Sequence, residues 1–231
     1  MTALALAADR QTAIREIGKE RLRVAVIDDC LAAPDAAIDL AAKLSFTPIG
    51  PYYPGVRAAL GADRASMLGA ALGDAIDEAL GLRPEKWTGE CYFSIVTIPP
   101  GRLMPIQRMP HFDGVEETRV AALLFLARAD YGGTSFYRHR TSGYETVNER
   151  RYPGYAAALE ADVKRHGLPP ADYIGDGAPI FEEIASFEPV FNRMLIYRGN
   201  ALHCSRMKNV AALNADPRAG RLTLNLFLQP A

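Results

Sequence analysis

The segment from Arg221 to Leu228 alternates strictly, with a leucine at every second position. A period of two residues predicts a β-strand whose two faces meet different surroundings. We expect the leucine face to pack in the core, so the opposite face directs Arg221, Thr223, Asn225 and Phe227 elsewhere. Two destinations remain open. The strand could be half exposed to solvent, or it could line a pocket in which Arg221 pairs with a carboxylate and Thr223 adds a hydrogen bond.

Other short apolar segments also predict a mainly β fold. Between residues 88 and 229 the runs rich in β-branched and aromatic residues are CYFSIVTI, RVAALLFLA, GGTSFYRHR, FEPVF and RMLIYRG. RVAALLFLA is apolar throughout, which is typical of a strand buried on both faces or of a short buried helix. A series of short strands separated by turn signals favours a sandwich or barrel.

Residues 1–87 predict an N-terminal support of mixed α and β structure. LRVAVIDD at 22–29 favours a strand, and a helix is expected from Pro34 to about residue 43 or 44. SFTPIGPYYPG predicts an ordered surface loop. A second helix, ending at Gly81, is indicated by an apolar stripe at four-residue spacing: Leu68, Leu72, Ile76 and Leu80.

Residues 148–184 are expected to form a helical insertion between two strands. Its helix begins at Pro153, ends at Gly167 and carries an apolar stripe of Tyr155, Leu159 and Val163. The insertion could pack outside the core, the interpretation we favour, or act as a lid that places tyrosines over a pocket mouth, namely Tyr152, Tyr155 and Tyr173.

Composition narrows the class of protein. The 231 residues are 49% hydrophobic and 23% charged, with a formal net charge of −1, which is ordinary for a globular chain and gives no reason to expect a nucleic-acid partner. Cys30, Cys91 and Cys204 are odd in number and widely spaced, so a disulfide framework is not expected. No signal core or membrane-length apolar run is visible, so we predict a cytoplasmic protein without a membrane partner.

A small set of residues could bind a metal ion. In His111-Phe-Asp113 the imidazole and the carboxylate would share one face of a strand, and His203 would complete a set of two histidines and one carboxylate, as non-haem Fe(II) sites use. Each residue has an ordinary alternative, a surface pair for the first two and a core histidine for the third. His139 lies in a basic run and His166 near a helix end, so neither is an expected ligand.

Taken in order, these features resemble the Fe(II)/2-oxoglutarate-dependent dioxygenases of the prolyl 4-hydroxylase-like branch. The similarity covers roughly residues 88–229, with a weaker echo over 22–44. The matching positions are Pro100-Gly101, His111 with Asp113, Gly132-Gly133-Thr134-Ser135-Phe136, His203, and Arg221 with Thr223. The resemblance implies a single domain, 1–231, with a double-stranded β-helix (jelly-roll) core, N-terminal supporting helices and a helical insertion.

The same resemblance implies a set of functions. His111, Asp113 and His203 would bind Fe(II), while Arg221 and Thr223 would bind the distal carboxylate of 2-oxoglutarate. With O2, such an enzyme hydroxylates an amino acid, peptide or other small molecule and releases succinate and CO2. Gln107 and Asn225 are the candidate substrate contacts.

The chain departs from the family pattern at Pro99, where related hydroxylases often place a tyrosine that contacts 2-oxoglutarate. Two other classes remain open. One is a cupin-like jelly-roll metalloprotein, either an isomerase or a non-catalytic binding domain, for which Arg221 should pack against acidic groups of the protein. The other is an interaction domain that has kept only the barrel.

Overall fold

The computed structural model describes residues 3–176 and 178–231. The helices are α1 (Pro34–Ala41), α2 (Ala62–Ala71), α3 (Gly73–Leu80) and α4 (Tyr152–His166). The strands are β1 (Gln11–Ile17), β2 (Leu22–Asp28), β3 (Gly55–Ala59), β4 (Trp87–Val96), β5 (Val120–Phe125), β6 (Thr134–His139), β7 (Phe181–Phe187), β8 (Met194–Arg198), β9 (His203–Ser205) and β10 (Leu222–Pro230).

The strands form two antiparallel sheets. The large sheet has the order β1-β2-β8-β5-β10-β4-β3, and the small sheet has the order β7-β6-β9. Sequence neighbours such as β4 and β5 are separated by β10, so the chain crosses between distant positions instead of forming a simple meander. Two facing antiparallel sheets with helices outside them are the jelly-roll core with packed helices that the sequence predicted.

Among the described residues, three of the four apolar clusters form the layers of this arrangement. The largest lies between the outer face of the large sheet and the helices α1 to α3. A second lies between the two sheets and includes Phe136 of the small sheet and Leu123 of the large one. The third covers the outer face of the small sheet, where α4 packs. Polar groups concentrate at one end of the space between the sheets.

Strand β10 confirms the predicted alternation. Its four leucines are fully buried against the helices that pack on the large sheet. The other face, with Arg221, Thr223 and Asn225, is also buried and looks into the space between the sheets. Of the two destinations open from the sequence, the half-exposed strand is therefore wrong.

The second predicted helix is two helices. The chain leaves the helical conformation at Leu72, whose φ and ψ are −91° and 0°, and α3 restarts at Gly73. The apolar stripe survives the break because α2 and α3 both turn it toward the large sheet, burying all four of its members. Gly81 ends α3 in the left-handed conformation, as expected.

The predicted strand FEPVF is wrong, and so is the end of the insertion. Strand β7 finishes at Phe187, and the next residues turn into β8, with Asn192 at a φ of +62°. Pro189 cannot donate to a ladder, which is why pairing stops there. Because β7 begins at Phe181, the insertion ends before that residue and not at 184. The sequence analysis also missed β1 and β3.

The insertion packs outside the small sheet. Tyr155 of α4 is buried, with its ring 5.2 Å from that of His139 and 6.0 Å from that of Phe112. Tyr152 remains half exposed. The hydroxyl of Tyr173 donates to the carbonyl of Ile98 at 2.6 Å. Among the described helices, none is long and apolar enough to cross a membrane.

Candidate metal centre

Backbone pairing brings the two candidate histidines together. His203 opens β9, and His111 forms an isolated antiparallel bridge with it, each backbone N–H donating to the other residue's carbonyl at 2.8 to 2.9 Å. Asp113 follows two residues later and donates its N–H to the carbonyl of Gly199 at 2.7 Å. The ligand candidates thus lie on one short ladder at the edge of the small sheet.

The three side chains converge on one point. Asp113 Oδ1 lies 3.7 Å from His111 Nε2, and Asp113 Oδ2 lies 3.7 Å from His203 Nε2. One ligand atom from each of the three residues falls within 4.8 Å of the others. The imidazole rings have centroids 4.3 Å apart. These separations exceed hydrogen-bond lengths but suit ligand atoms arranged around one ion.

The orientation of the His203 ring is fixed through its second nitrogen. Nδ1 lies 3.0 Å from the carbonyl oxygen of Ala201. A carbonyl can only accept, so Nδ1 carries a hydrogen and Nε2 is the nitrogen that faces the site. Metal-binding histidines are oriented in this way by a bond from their other nitrogen.

The surroundings of the site lower the pKa of His111 and leave one oxygen of Asp113 without a hydrogen-bond partner. The pKa of His111 lies well below its ordinary value because of desolvation, with His203 and Arg57 acting in the same direction. Burial raises the pKa of Asp113, while nearby cations oppose the shift. Asp113 Oδ2 is buried and has no hydrogen-bond partner among the described residues. An orphaned buried carboxylate oxygen beside two imidazole nitrogens fits a metal cation.

A row of side chains crosses the large sheet near this point. The register aligns residues from β3, β4, β10 and β5: Arg57, Ser94, Thr223 and Phe125. Thr223 is buried, and its hydroxyl lies 2.8 Å from Asn225 Oδ1. The row therefore runs from Arg57 on the edge strand, past the hydroxyls of Ser94 and Thr223, to Phe125. The guanidinium carbon of Arg221 lies 5.9 Å from the centroid of the Phe125 ring.

Arg221 is a buried cation without an acidic partner. It is 2% exposed and donates to the carbonyl oxygens of Gly132 and Gly133 at 3.2 and 2.9 Å. Burial lowers its pKa. It forms no ion pair within the described part of the chain. A buried guanidinium without a carboxylate partner is costly, and an anion beside it would offset that cost.

Tyr53 is a site residue that the sequence analysis missed. Its hydroxyl is buried and has no hydrogen-bond partner within residues 3–176 and 178–231. Burial raises the pKa of this phenol, and the charges of Arg221 and Arg57 oppose the shift. Tyr53 lies in the loop before β3, so it is the pairing of β3 with β4 that brings it to the site.

The remaining candidates have structural partners. Gln107 Nε2 donates to the carbonyl of Pro51 at 2.9 Å, and its Oε1 accepts from Met104 N at 2.9 Å, so this amide ties two loops together. Its contact with a substrate stays a prediction, as does that of Asn225. His166 is exposed at the end of α4.

The structure changes the reason why His139 is not an expected metal ligand. Its chain neighbours are basic, but Arg138 pairs with Glu145 and Arg140 donates to the carbonyl of Phe181. His139 itself is buried, and burial lowers its pKa, against the opposing effect of Asp162. The side chain thus lies in an apolar layer that favours its neutral form, with Nδ1 at 2.8 Å from the Ser142 hydroxyl and Nε2 facing Asp162 Oδ2 at 3.1 Å.

The three cysteines are free thiols in buried positions. Desolvation raises the pKa of Cys30, Cys91 and Cys204 to about 12. Thiols protonated to this degree are poor nucleophiles and poor metal ligands. They add no further chemistry to the site.

Comparisons with known proteins give the following findings. A prolyl-4-hydroxylase from Pseudomonas putida is 15% identical, with 86% of this chain and 88% of that chain covered and a TM-score of 0.44. HygX from Streptomyces hygroscopicus, solved with nickel and 2-oxoglutarate bound, is 13% identical, with 86% and 78% covered and a TM-score of 0.47. Similarities of this strength establish no shared activity.

A search of curated proteins finds no match. A family model matches residues 8–228, nearly the whole chain, and its description is a family of unknown function, DUF6445. The chain belongs to this family.

Proposed function

We propose that this protein is an Fe(II)- and 2-oxoglutarate-dependent oxygenase that hydroxylates an amino acid, peptide or other small molecule. One observation carries the proposal: two imidazoles and an orphaned carboxylate converge in a cleft that also holds a buried, acid-free arginine. Two histidines and one carboxylate are the donor set of non-haem Fe(II) oxygenases, and a lone guanidinium is suited to the carboxylate of a co-substrate.

In this proposal His111, Asp113 and His203 hold the iron. When bound, the metal and 2-oxoglutarate supply the oxidising chemistry with O2, and the co-substrate leaves as succinate and CO2. The chain's own contribution is to present two imidazoles and one carboxylate from positions that backbone hydrogen bonds fix. The lowered pKa of His111 helps because a protonated imidazole cannot bind a metal.

The large sheet would bind the co-substrate. Arg221 pairs with its distal carboxylate, and the Tyr53 hydroxyl donates a hydrogen bond to it. Thr223 adds a second hydrogen bond once its hydroxyl hydrogen turns away from Asn225 Oδ1. The unpartnered Tyr53 hydroxyl supports this role, as does the burial of Thr223 beside it. Closing this end of the space between the sheets also excludes water, which strengthens each of these interactions.

The cupin-like alternative is less well supported. It expects Arg221 to pack against acidic groups, whereas the described residues give this guanidinium only two backbone carbonyls as hydrogen-bond acceptors. The identity of the substrate, the single-domain organisation over 1–231 and the cytoplasmic location stay predictions.

Anaerobic titration with Fe(II) and 2-oxoglutarate tests the proposal. We expect the metal-free chain to bind one Fe(II) and to develop a visible metal-to-ligand charge-transfer band when 2-oxoglutarate is added. The band should be lost in His111→Ala and retained in His166→Ala, which removes an exposed histidine outside the site. Absence of both metal uptake and the band in the unmodified protein would refute the assignment.

A further inference from the structure

Arg57 is a second cation of the cleft that the proposed function leaves unused. It lies on β3, at the edge of the large sheet, and its register partner is Ser94 of β4. The described residues offer it no ion pair and no side-chain hydrogen bond, and its Nε is buried without a partner. A guanidinium normally finds such partners, so its isolation here needs an explanation.

Aromatic rings fix the position of Arg57. The guanidinium carbon lies 4.3 Å from the ring centroid of Tyr53, 5.3 Å from that of Tyr92 and 5.7 Å from that of Phe227. Stacking of this kind stabilises a cation and holds its plane while leaving its edge free to donate. The group is therefore oriented before any ligand arrives.

Arg57 differs from Arg221 in access. Arg221 is fully buried and bonds to the carbonyls of Gly132 and Gly133, whereas Arg57 is half-buried on the edge strand. The Tyr53 ring stacks under Arg57, with the guanidinium carbon 4.3 Å from its centroid. The closed position suits a co-substrate, and the open one suits a molecule that enters afterwards.

The net charge of the site also supports separate ligands for Arg57 and Arg221. On the proposed function, the cleft holds a divalent metal, the cations Arg57 and Arg221, and Asp113 as the carboxylate of the metal set. The two carboxylates of 2-oxoglutarate do not neutralise this surplus of positive charge. One further carboxylate beside Arg57 would balance it, and unbalanced charge in a partly desolvated cleft is unfavourable.

We propose that Arg57 determines substrate specificity by binding a carboxylate of the substrate, so that the substrate is an organic acid, such as an amino acid or a peptide with a free carboxyl group. The inference rests on the proposed function for the identity of the site. Its own basis is the stacked, unpartnered guanidinium at the open side of the cleft. The aromatic rings around it would also contact an apolar part of the substrate.

Calorimetric titration with a matched pair of probes tests this role. The full chain, loaded anaerobically with Fe(II) and 2-oxoglutarate, is titrated with 3-phenylpropanoate and with the neutral 3-phenylpropanamide. We expect the acid to bind about tenfold more tightly than the amide, as for a charge-assisted pair at a half-exposed site. Arg57→Gln should abolish the difference in affinity. Arg57→Lys keeps the charge but loses the two parallel donors of the guanidinium, so it should retain part of the difference.

Arg102→Gln is the matched control, because Arg102 is exposed and forms no ion pair among the described residues. Equal binding of acid and amide, or no detectable binding of the acid, would overturn the inference. So would an Arg57→Gln variant that loses 2-oxoglutarate affinity as strongly as Arg221→Gln, since Arg57 would then belong to the co-substrate site.

Repeating the titration on the metal-free chain separates the two proposals. If the chain takes up no Fe(II) and no 2-oxoglutarate, the proposed function fails. An acid preference that depends on Arg57 would still stand in that case.

Discussion

Two histidine and aspartate clusters lie on opposite sides of the small sheet, and they differ in how their polar atoms are used. In the buried one, His139 Nε2 lies 3.1 Å from Asp162 Oδ2 and His139 Nδ1 lies 2.8 Å from the hydroxyl of Ser142. In the candidate metal centre, Asp113 stands 3.7 Å from both His111 and His203. The same residue types form a close pair in one place, here called the closed pair, and a more widely spaced set of three side chains in the other.

The spacing of the partners distinguishes a structural pair from a candidate binding site. His139 and Asp162 join α4 to β6 across an apolar layer, and their ionic contact offsets part of the burial of each. Asp162 Oδ2 and Asp113 Oδ2 both lack a hydrogen bond of good geometry, but an imidazole nitrogen lies 3.1 Å from the first and only at 3.7 Å from the second. The surroundings of Asp113 are stabilised only when a cation arrives.

Removing one of the three candidate metal ligands should have the largest effect. We expect His203→Ala to reduce Fe(II) affinity by at least about 100-fold, because the loss of one of three protein ligands removes more than the loss of a group behind a ligand. Equilibrium dialysis under nitrogen measures this. His139→Ala is the matched variant from the closed pair, and comparable loss of iron there would contradict the comparison.

Breaking the closed pair should cost stability instead. Asp162→Ala leaves His139 buried with an unpaired Nε2, and we expect the free energy of unfolding to fall by about 2 to 3 kcal/mol. Urea denaturation followed by circular dichroism checks the value. A change within error, with the m-value constant, would show that the pair does not hold the insertion to the sheet.

The closed pair should also produce a pH dependence. The pKa of His139 is lowered in the folded chain, chiefly by desolvation, so on acidification the unfolded chain takes up this proton first. Stability should therefore decline below about pH 6.5, with a slope of at most about 1.4 kcal/mol per pH unit from this group. Denaturation midpoints between pH 5 and 8 on the metal-free protein test this, and His139→Gln should flatten the slope.

The smallest effect is expected for Asp113→Asn without metal. Burial raises the pKa of Asp113, so its charge costs stability above its ordinary titration range of about pH 4. The neutral amide should raise the free energy of unfolding at pH 7 by about 1 kcal/mol or less, and the gain should vanish in acid. A loss of stability at pH 7 would mean that the carboxylate already has a partner in the free protein.

The sequence predicted what lies within single strands and motifs. The alternation that begins at Arg221 predicted a buried leucine face and left the destination of the polar face open, and the set His111, Asp113 and His203 was assembled from spacing and a family resemblance. Tyr53 and Arg57 were missed because they reach the cleft only through the pairing of β3 with β4, which no local pattern encodes. The break at Leu72 was missed because the same apolar stripe serves one helix or two.

The mutual backbone bridge of His111 and His203 has a consequence for the size of the co-substrate. His203 lies in the small sheet and His111 bridges to it, whereas Thr223 lies in the large sheet and Arg221 directly precedes β10. On the proposed function, a diacid must therefore span the space between the two sheets, and the width of that space limits its length. Gly133 provides one of the two carbonyls that position Arg221, and a Cβ there would come within 1.7 Å of the carbonyl oxygen of Phe187. A side chain at this position would therefore shift the arginine that, on the proposed function, binds the far carboxylate.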